Sequence, residues 1–168
     1  MIYENIVLIG FMGSGKTSVG KTLARYLHKD FVDVDSVIEV EQNATINDIF
    51  KEKGEECFRV LEQKCINKIT QKKGQVIATG GGLPIHSTIA ENSLIVYIDA
   101  DFEVILNRLS AKEHAKRPLL QDESLARSLY AQRIQTYKEL ATLSVDANQK
   151  IQVFIHVIVD FILDNRVL

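Results

Sequence analysis

Cysteine is scarce: Cys57 and Cys65 are the only two among 168 residues. Eight positions apart, they form neither a C-x-x-C pair nor any metal-ligand spacing, which excludes a zinc module and a disulfide framework. Their helical spacing among apolar neighbours reads as a pair of reduced core thiols. Excess positive charge is missing as well. The formal net charge is −2, so no global basic field draws nucleic acid or an anionic membrane, and any anion must be caught by a local cluster. Long apolar runs are absent too. The most apolar tail, Val153 to Leu163, contains His156 and Asp160 and is too short to span a bilayer. The chain reaches a glycine-rich turn by Gly10, which leaves no room for a secretory leader. Repeats, low-complexity tracts and linkers are lacking. These absences predict a cytoplasmic enzyme with no nucleic-acid or membrane partner. No exposed apolar stripe stands out, so a monomer is expected.

What remains is a composition suited to one compact domain, residues 1–168, with 46% hydrophobic and 25% charged residues. Ile6-Val7-Leu8-Ile9 is a continuous apolar run ending at Gly10, as a buried parallel strand should be. Val19, Leu23 and Leu27 then recur every four residues, with Lys21 and Arg25 turned outward. Further strands are expected at Phe31–Asp35, Gln75–Ala78, Leu94–Ile98 and Ser144–Asp146. Helices are expected from Ile46 to about Ile69, from Phe102 to about Leu109, from Ser124 to about Leu140, and from Gln152 to Asp164. In the first of these, Cys57, Leu61, Cys65 and Ile69 would form one apolar stripe. Alternating strands and helices imply right-handed crossovers: an α/β fold in three α/β/α layers around a central five-stranded parallel sheet.

The turn after the first strand carries chemistry. Gly10-Phe11-Met12-Gly13-Ser14-Gly15-Lys16-Thr17 has the spacing of a phosphate-binding P-loop, with a strand before it and a helix after it. Glycines let backbone N–H groups turn inward around phosphate oxygens at the positive end of the helix. Lys16 can reach the β- and γ-phosphates, and the Thr17 hydroxyl can ligate Mg²⁺. The fold is therefore of the P-loop nucleotide-hydrolase type, binding Mg²⁺-ATP. A GTPase would show Asn-Lys-x-Asp, but Asn67-Lys68-Ile69-Thr70 lacks the carboxylate. A chain this short, with charged inserted segments, fits a small-molecule kinase.

The acceptor side is less specific. Asp33-Val34-Asp35 would place both carboxylates on one strand face, at the sheet edge where ligands bind. A helix-capping role for Asp35 is the competing reading. Arg59 and Glu62, three apart, read as a solvated surface pair unless the acceptor carries a carboxylate for the guanidinium to grip. Thr79-Gly80-Gly81-Gly82 suggests backbone approaching a ligand closely. Arg117-Pro118 lies in a charged segment with Lys112 and Lys116. It reads either as a solvated basic loop or as an arginine that stabilises a transferring phosphoryl group. Arg133 follows, with Tyr137 four residues later. The histidines show no functional spacing.

Together these motifs resemble the shikimate kinase family over nearly the whole chain. The resemblance rests on the P-loop, on Asp33–Asp35, Ile46–Phe50, Phe58–Glu62, Gly80–Gly82 and Arg117–Leu120, and on Arg-Ile-Gln-Thr-Tyr at 133–137. It implies transfer of the ATP γ-phosphoryl group to the 3-hydroxyl of shikimate, giving shikimate 3-phosphate and ADP on the route to chorismate and the aromatic amino acids. It implies Mg²⁺ held by Thr17 and Asp33, and ATP bound by Gly13, Ser14, Gly15, Lys16, Thr17, Ser18, Arg117, Asn148 and Gln149. Arg108 is the candidate for stacking on adenine. Catalysis would rest on Asp35, Lys16 and Arg117. Shikimate would meet Asp35, Phe50, Phe58, Arg59, Gly80, Gly81, Gly82, Pro118 and Arg133. Residues of about 33–62 would form the acceptor-binding segment and about 110–123 a lid. Two other readings stay open: a different small P-loop metabolite kinase, for gluconate or a nucleoside monophosphate, and a non-catalytic ATP-binding regulator.

Overall fold

The computed structural model describes residues 3–108 and 122–165. Five parallel strands form the sheet: β1 (Asn5–Ile9), β2 (Asp30–Asp33), β3 (Gln75–Ala78), β4 (Ser93–Asp99) and β5 (Leu143–Asp146). Their order is β2-β3-β1-β4-β5. Every pairing is parallel, with Leu8 opposite Ala78 on one side and opposite Val96 on the other. Central β1 is buried along its whole length, which is why it reads as an unbroken apolar run rather than an alternating one.

The helices are α1 (Lys16–Tyr26), α2 (Val34–Gln42), α3 (Ile46–Thr70), α4 (Leu83–His86), α5 (Phe102–Arg108), α6 (Glu123–Leu140) and α7 (Ile151–Asp164). The crossover from β1 to β2 moves outward and those from β2 through β5 move back across the sheet. With right-handed connections, α1 therefore covers one face and α3 to α6 the other. α7 returns to pack on α1. Leu23, Ile155 and Ile158 fill the first layer, while Phe58, Ile66 and Tyr137 belong to the second.

Three local expectations change. β2 ends at Asp33 and α2 begins at Val34, so Asp33 and Asp35 do not share a strand face. The cause is the Asp33 side chain, which accepts from the Ser36 N–H and starts the helix at once. Asp33, not Asp35, is the cap. Second, α3 is broken at Gly54, whose φ of 79° and ψ of 171° lie outside the helical region and are open to glycine alone. Third, its buried side is Phe58, Glu62, Cys65 and Ile66, whereas Cys57, Leu61 and Ile69 are only half-buried. The expected apolar stripe is thus rotated so that an acid lies inside. Both thiols are free, Cys65 buried and Cys57 partly so. Short α4 was not foreseen.

Candidate functional site

The carboxyl ends of β1, β2 and β3 converge on the glycine turn, as ligand sites in open α/β sheets do. Gly15 takes a left-handed φ of 102° as the N-cap of α1, so successive N–H groups open toward a common concavity. Buried Lys16 donates to the carbonyls of Gly10 and Phe11, each at 2.8 Å. The loop thereby holds its own cation in place. The Thr17 hydroxyl donates to Asp33 Oδ2 at 2.9 Å, joining the first turn of α1 to the end of β2. A hydroxyl and a carboxylate are hard oxygen donors beside a phosphate loop, a set that suits magnesium. Ser14 Oγ and Asp35 Oδ1 are buried without a hydrogen-bond partner, which is costly unless a ligand supplies one.

A cleft of about 860 Å³ runs over these groups. Gly13 to Ser18, Asp33, Asp35, Gly80 and Gly81 line one end, and Arg108, Asn148 and Gln149 line the other. At that far end Arg108 donates to the Gln149 carbonyl at 2.9 Å, and Asn148 Oδ1 accepts from the Asp101 N–H at 2.8 Å. The residues expected to flank adenine therefore meet although they are some forty positions apart. Met12, Thr79, Lys150, Ile151 and Phe154 also line the cleft. Met12 and Thr79 belong to the two glycine motifs, whereas Lys150, Ile151 and Phe154 carry no motif and only their neighbours in sequence pointed to them.

Beyond Asp35 lies a second group. Arg59 bonds Glu62 at 2.5 Å and Glu55 at 2.8 Å, and Glu62 is only 1% exposed. The expected solvated pair is instead a buried one, because the broken α3 turns this side of the helix inward. The Arg59 guanidinium also lies over the rings of Phe58 and Phe50, 5.4 and 5.8 Å from their centroids. Those two rings pack 4.5 Å apart. Arg133, from α6, is buried and acts on the charges of Glu62, Glu55 and His86, as Arg59 does. The two arginines thus share one neighbourhood.

Gly80, Gly81 and Gly82 run between these groups, and a side chain on Gly80 or Gly82 would displace them. A Cβ on Gly80 would fall 2.7 Å from Asp35 Oδ1 and 3.2 Å from Glu62 Oε1, and one on Gly82 would fall 2.5 Å from Arg59 Nη1. The close approach seen is to the site's own groups, Asp35, Glu62 and Arg59. Arg117 and Pro118, with most of the segment 110–123, lie outside the described residues.

Electrostatics separate the acids. Burial pushes the Asp35 carboxyl up to about 6, reinforced by the charge of Asp33 and opposed by Lys16. Burial likewise lifts Glu62 to about 7, against the pull of its Arg59 hydrogen bond. His86 is lowered by burial and by both arginines. An acid poised near neutral pH with an unpaired oxygen is suited to receiving a proton.

The chain as a whole is similar to known proteins. The shikimate kinase family model matches residues 12–163. Shikimate kinase of Helicobacter hepaticus is 45% identical over 81% of this chain and 82% of that protein. The Sulfurihydrogenibium enzyme of the same name is 41% identical over 88% and 90%. Among solved structures, shikimate kinase from Acinetobacter baumannii in complex with shikimate superposes with a TM-score of 0.86 at 34% identity, covering 99% of this chain and 96% of that one. A deoxyadenosine kinase from M. mycoides, at 14% identity and a TM-score of 0.69, shares the fold alone. With the family model spanning nine-tenths of its length and curated relatives above 40% identity, the chain belongs to the shikimate kinase family.

Proposed function

We propose that the cleft transfers the γ-phosphoryl group of ATP to the 3-hydroxyl of shikimate, releasing ADP and shikimate 3-phosphate. The observation that carries this reading is the position of Asp35. Its unpaired Oδ1 lies between a phosphate loop and a neighbourhood holding two arginines, which is what an acceptor with hydroxyls at one end and a carboxylate at the other requires. Arg59 and Arg133 grip the carboxylate, Phe50, Phe58 and Pro118 wall the ring, and Gly80, Gly81 and Gly82 bring backbone against it. Residues 33–62 supply most of this acceptor-binding segment.

Asp35 takes the proton of the attacking hydroxyl while its oxygen bonds to the γ-phosphorus. The bond from that phosphorus to the β,γ-bridging oxygen breaks, and ADP leaves with the electron pair. Lys16 neutralises phosphate charge, helped by N–H groups of the loop from Gly13 to Ser18. Thr17 and Asp33 would hold the divalent cation, taken to be magnesium, which would supply positive charge to offset that of the phosphates. Arg117, from the segment 110–123, is assigned to the transferring group, and Arg108, Asn148 and Gln149 to adenine. The chain is read as one domain and as a monomer. Its free thiols suit a reducing cytoplasm, and among the described residues no helix is long and apolar enough to cross a membrane.

An ADP-release assay with shikimate, gluconate and AMP as separate acceptors tests the proposal. Turnover is expected with shikimate alone. Release of ADP only with gluconate or AMP overturns it, and nucleotide binding without turnover on any acceptor favours a regulator.

A further inference from the structure

Tyr137 plays no part in the mechanism above, yet it is fully buried and its phenol joins two elements of the site. Its hydroxyl donates to the Gly81 carbonyl at 2.5 Å, across fifty-six positions of sequence. Arg133 lies one helical turn earlier on the same side of α6, and its charge acts on that phenol. The ring packs against Tyr97 with centroids 5.4 Å apart, so the phenol has little freedom to point elsewhere. A relay therefore runs from the turn of α6 that carries Arg133, through the phenol, to the Gly81 carbonyl.

We propose that Tyr137 is a positioning residue for the acceptor half of the site, locking Arg133 and the Gly81–Gly82 peptide to one another. In a trans peptide the C=O and N–H point in opposite directions. Tying the Gly81 oxygen to Tyr137 thus fixes where the Gly82 N–H points. The same bond anchors the turn of α6 that carries Arg133, so the grip on an acceptor carboxylate and the backbone facing its ring are adjusted as a unit. Removing the hydroxyl leaves the part-buried Gly81 carbonyl short of a donor and lets both groups drift. The inference rests on the acceptor reading given above.

Tyr137→Phe keeps the ring and deletes the relay. Its shikimate KM is expected to rise about tenfold, with ATP KM within about twofold of the parent. Tyr97→Phe, which removes the neighbouring buried phenol and leaves the Tyr137 bond to Gly81 in place, serves as the control for a purely structural loss. A lowered Tm in both variants with shikimate KM unchanged in both overturns the proposal. In a double-mutant cycle with Arg133→Lys, the two losses are expected to be less than additive, and strict additivity also overturns it. If the parent protein does not phosphorylate shikimate, the acceptor reading falls by itself. The relay is then judged by the Gly81 and Gly82 amide resonances of the apo protein, which must move in Tyr137→Phe and stay in place in Tyr97→Phe. If Tyr137→Phe does not fold, the parent's phenolic proton is followed by NMR. Protection from exchange and a shift on adding shikimate support the role, and rapid exchange rules it out.

Discussion

Asp35 serves two opposed demands, since the burial that raises its carboxyl to about 6 makes it a better base and a worse fit to a folded interior. Asp35→Asn is expected to keep nucleotide affinity and to lower kcat by about 10²- to 10⁴-fold. Nucleotide titration beside a turnover assay checks this, and near-normal kcat removes Asp35 from the mechanism. The pH dependence has a definite sign. Proton acceptance requires the ionised form, so kcat/KM of the parent should fall as pH drops through about 6. Stability runs the other way. A carboxyl whose folded pKa exceeds its unfolded value stabilises the fold below about 4, the unfolded value, and loses that contribution as pH rises through the folded one. Asp35→Asn should therefore raise Tm at pH 8 and change it little near pH 4.5. An equal change at both pH values would show that desolvated charge is not the cause. None of this was legible in the spacing of two aspartates, because burial is set by what β3 and α3 bring against Asp35.

At the scale of elements, two joints hold the acceptor segment in place. Asp33 ends β2, caps α2 and accepts from the Thr17 hydroxyl, so one side chain has a structural and a chemical duty. Asn caps a helix as well as Asp does, and Ala costs about 1 kcal/mol. Asp33→Asn should hence leave Tm nearly unchanged while raising the magnesium concentration needed for half-maximal rate. Asp33→Ala should do both kinds of damage. Melting curves and magnesium titrations of the two variants separate the duties. The second joint is Gly54. A Cβ there would meet nothing within 4 Å, so Gly54→Ala tests backbone conformation without a clash. Forcing an L-residue into that region costs about 1–3 kcal/mol, or about 2–4 °C of Tm per kcal/mol in a protein of this size. A change toward continuous helix would also swing Phe50 away from Phe58 and raise shikimate KM. The periodicity of Ile46 to Ile69 announced a helix but not its break, since one glycine inside an apolar pattern is compatible with either.

For the whole molecule, the sheet order decides which chemistry meets. With β3 between β2 and β1, the glycine turn, Asp33 and Gly80 arrive at one edge, and α3 and α6 bring their arginines over it. Chelation by EDTA should abolish turnover, leave the far-ultraviolet circular dichroism spectrum unchanged and be reversed by added magnesium. A spectrum that collapses on chelation would mean the cation builds the fold rather than the reaction. Sequence alone determined the phosphate loop, because its strand, its glycines, its lysine and the helix dipole all act within a dozen residues. It also determined the succession of strands and of the helices other than α2 and α4, which local apolar periodicity encodes, and through them the parallel α/β class. Only the tertiary structure decided that Glu62 is buried beside Arg59, that Asp33 rather than Asp35 caps α2, and that Tyr137 reaches Gly81. Those facts depend on surfaces far apart along the chain being pressed together, where the loss of water shifts a carboxyl's proton affinity and a single phenol can span two elements.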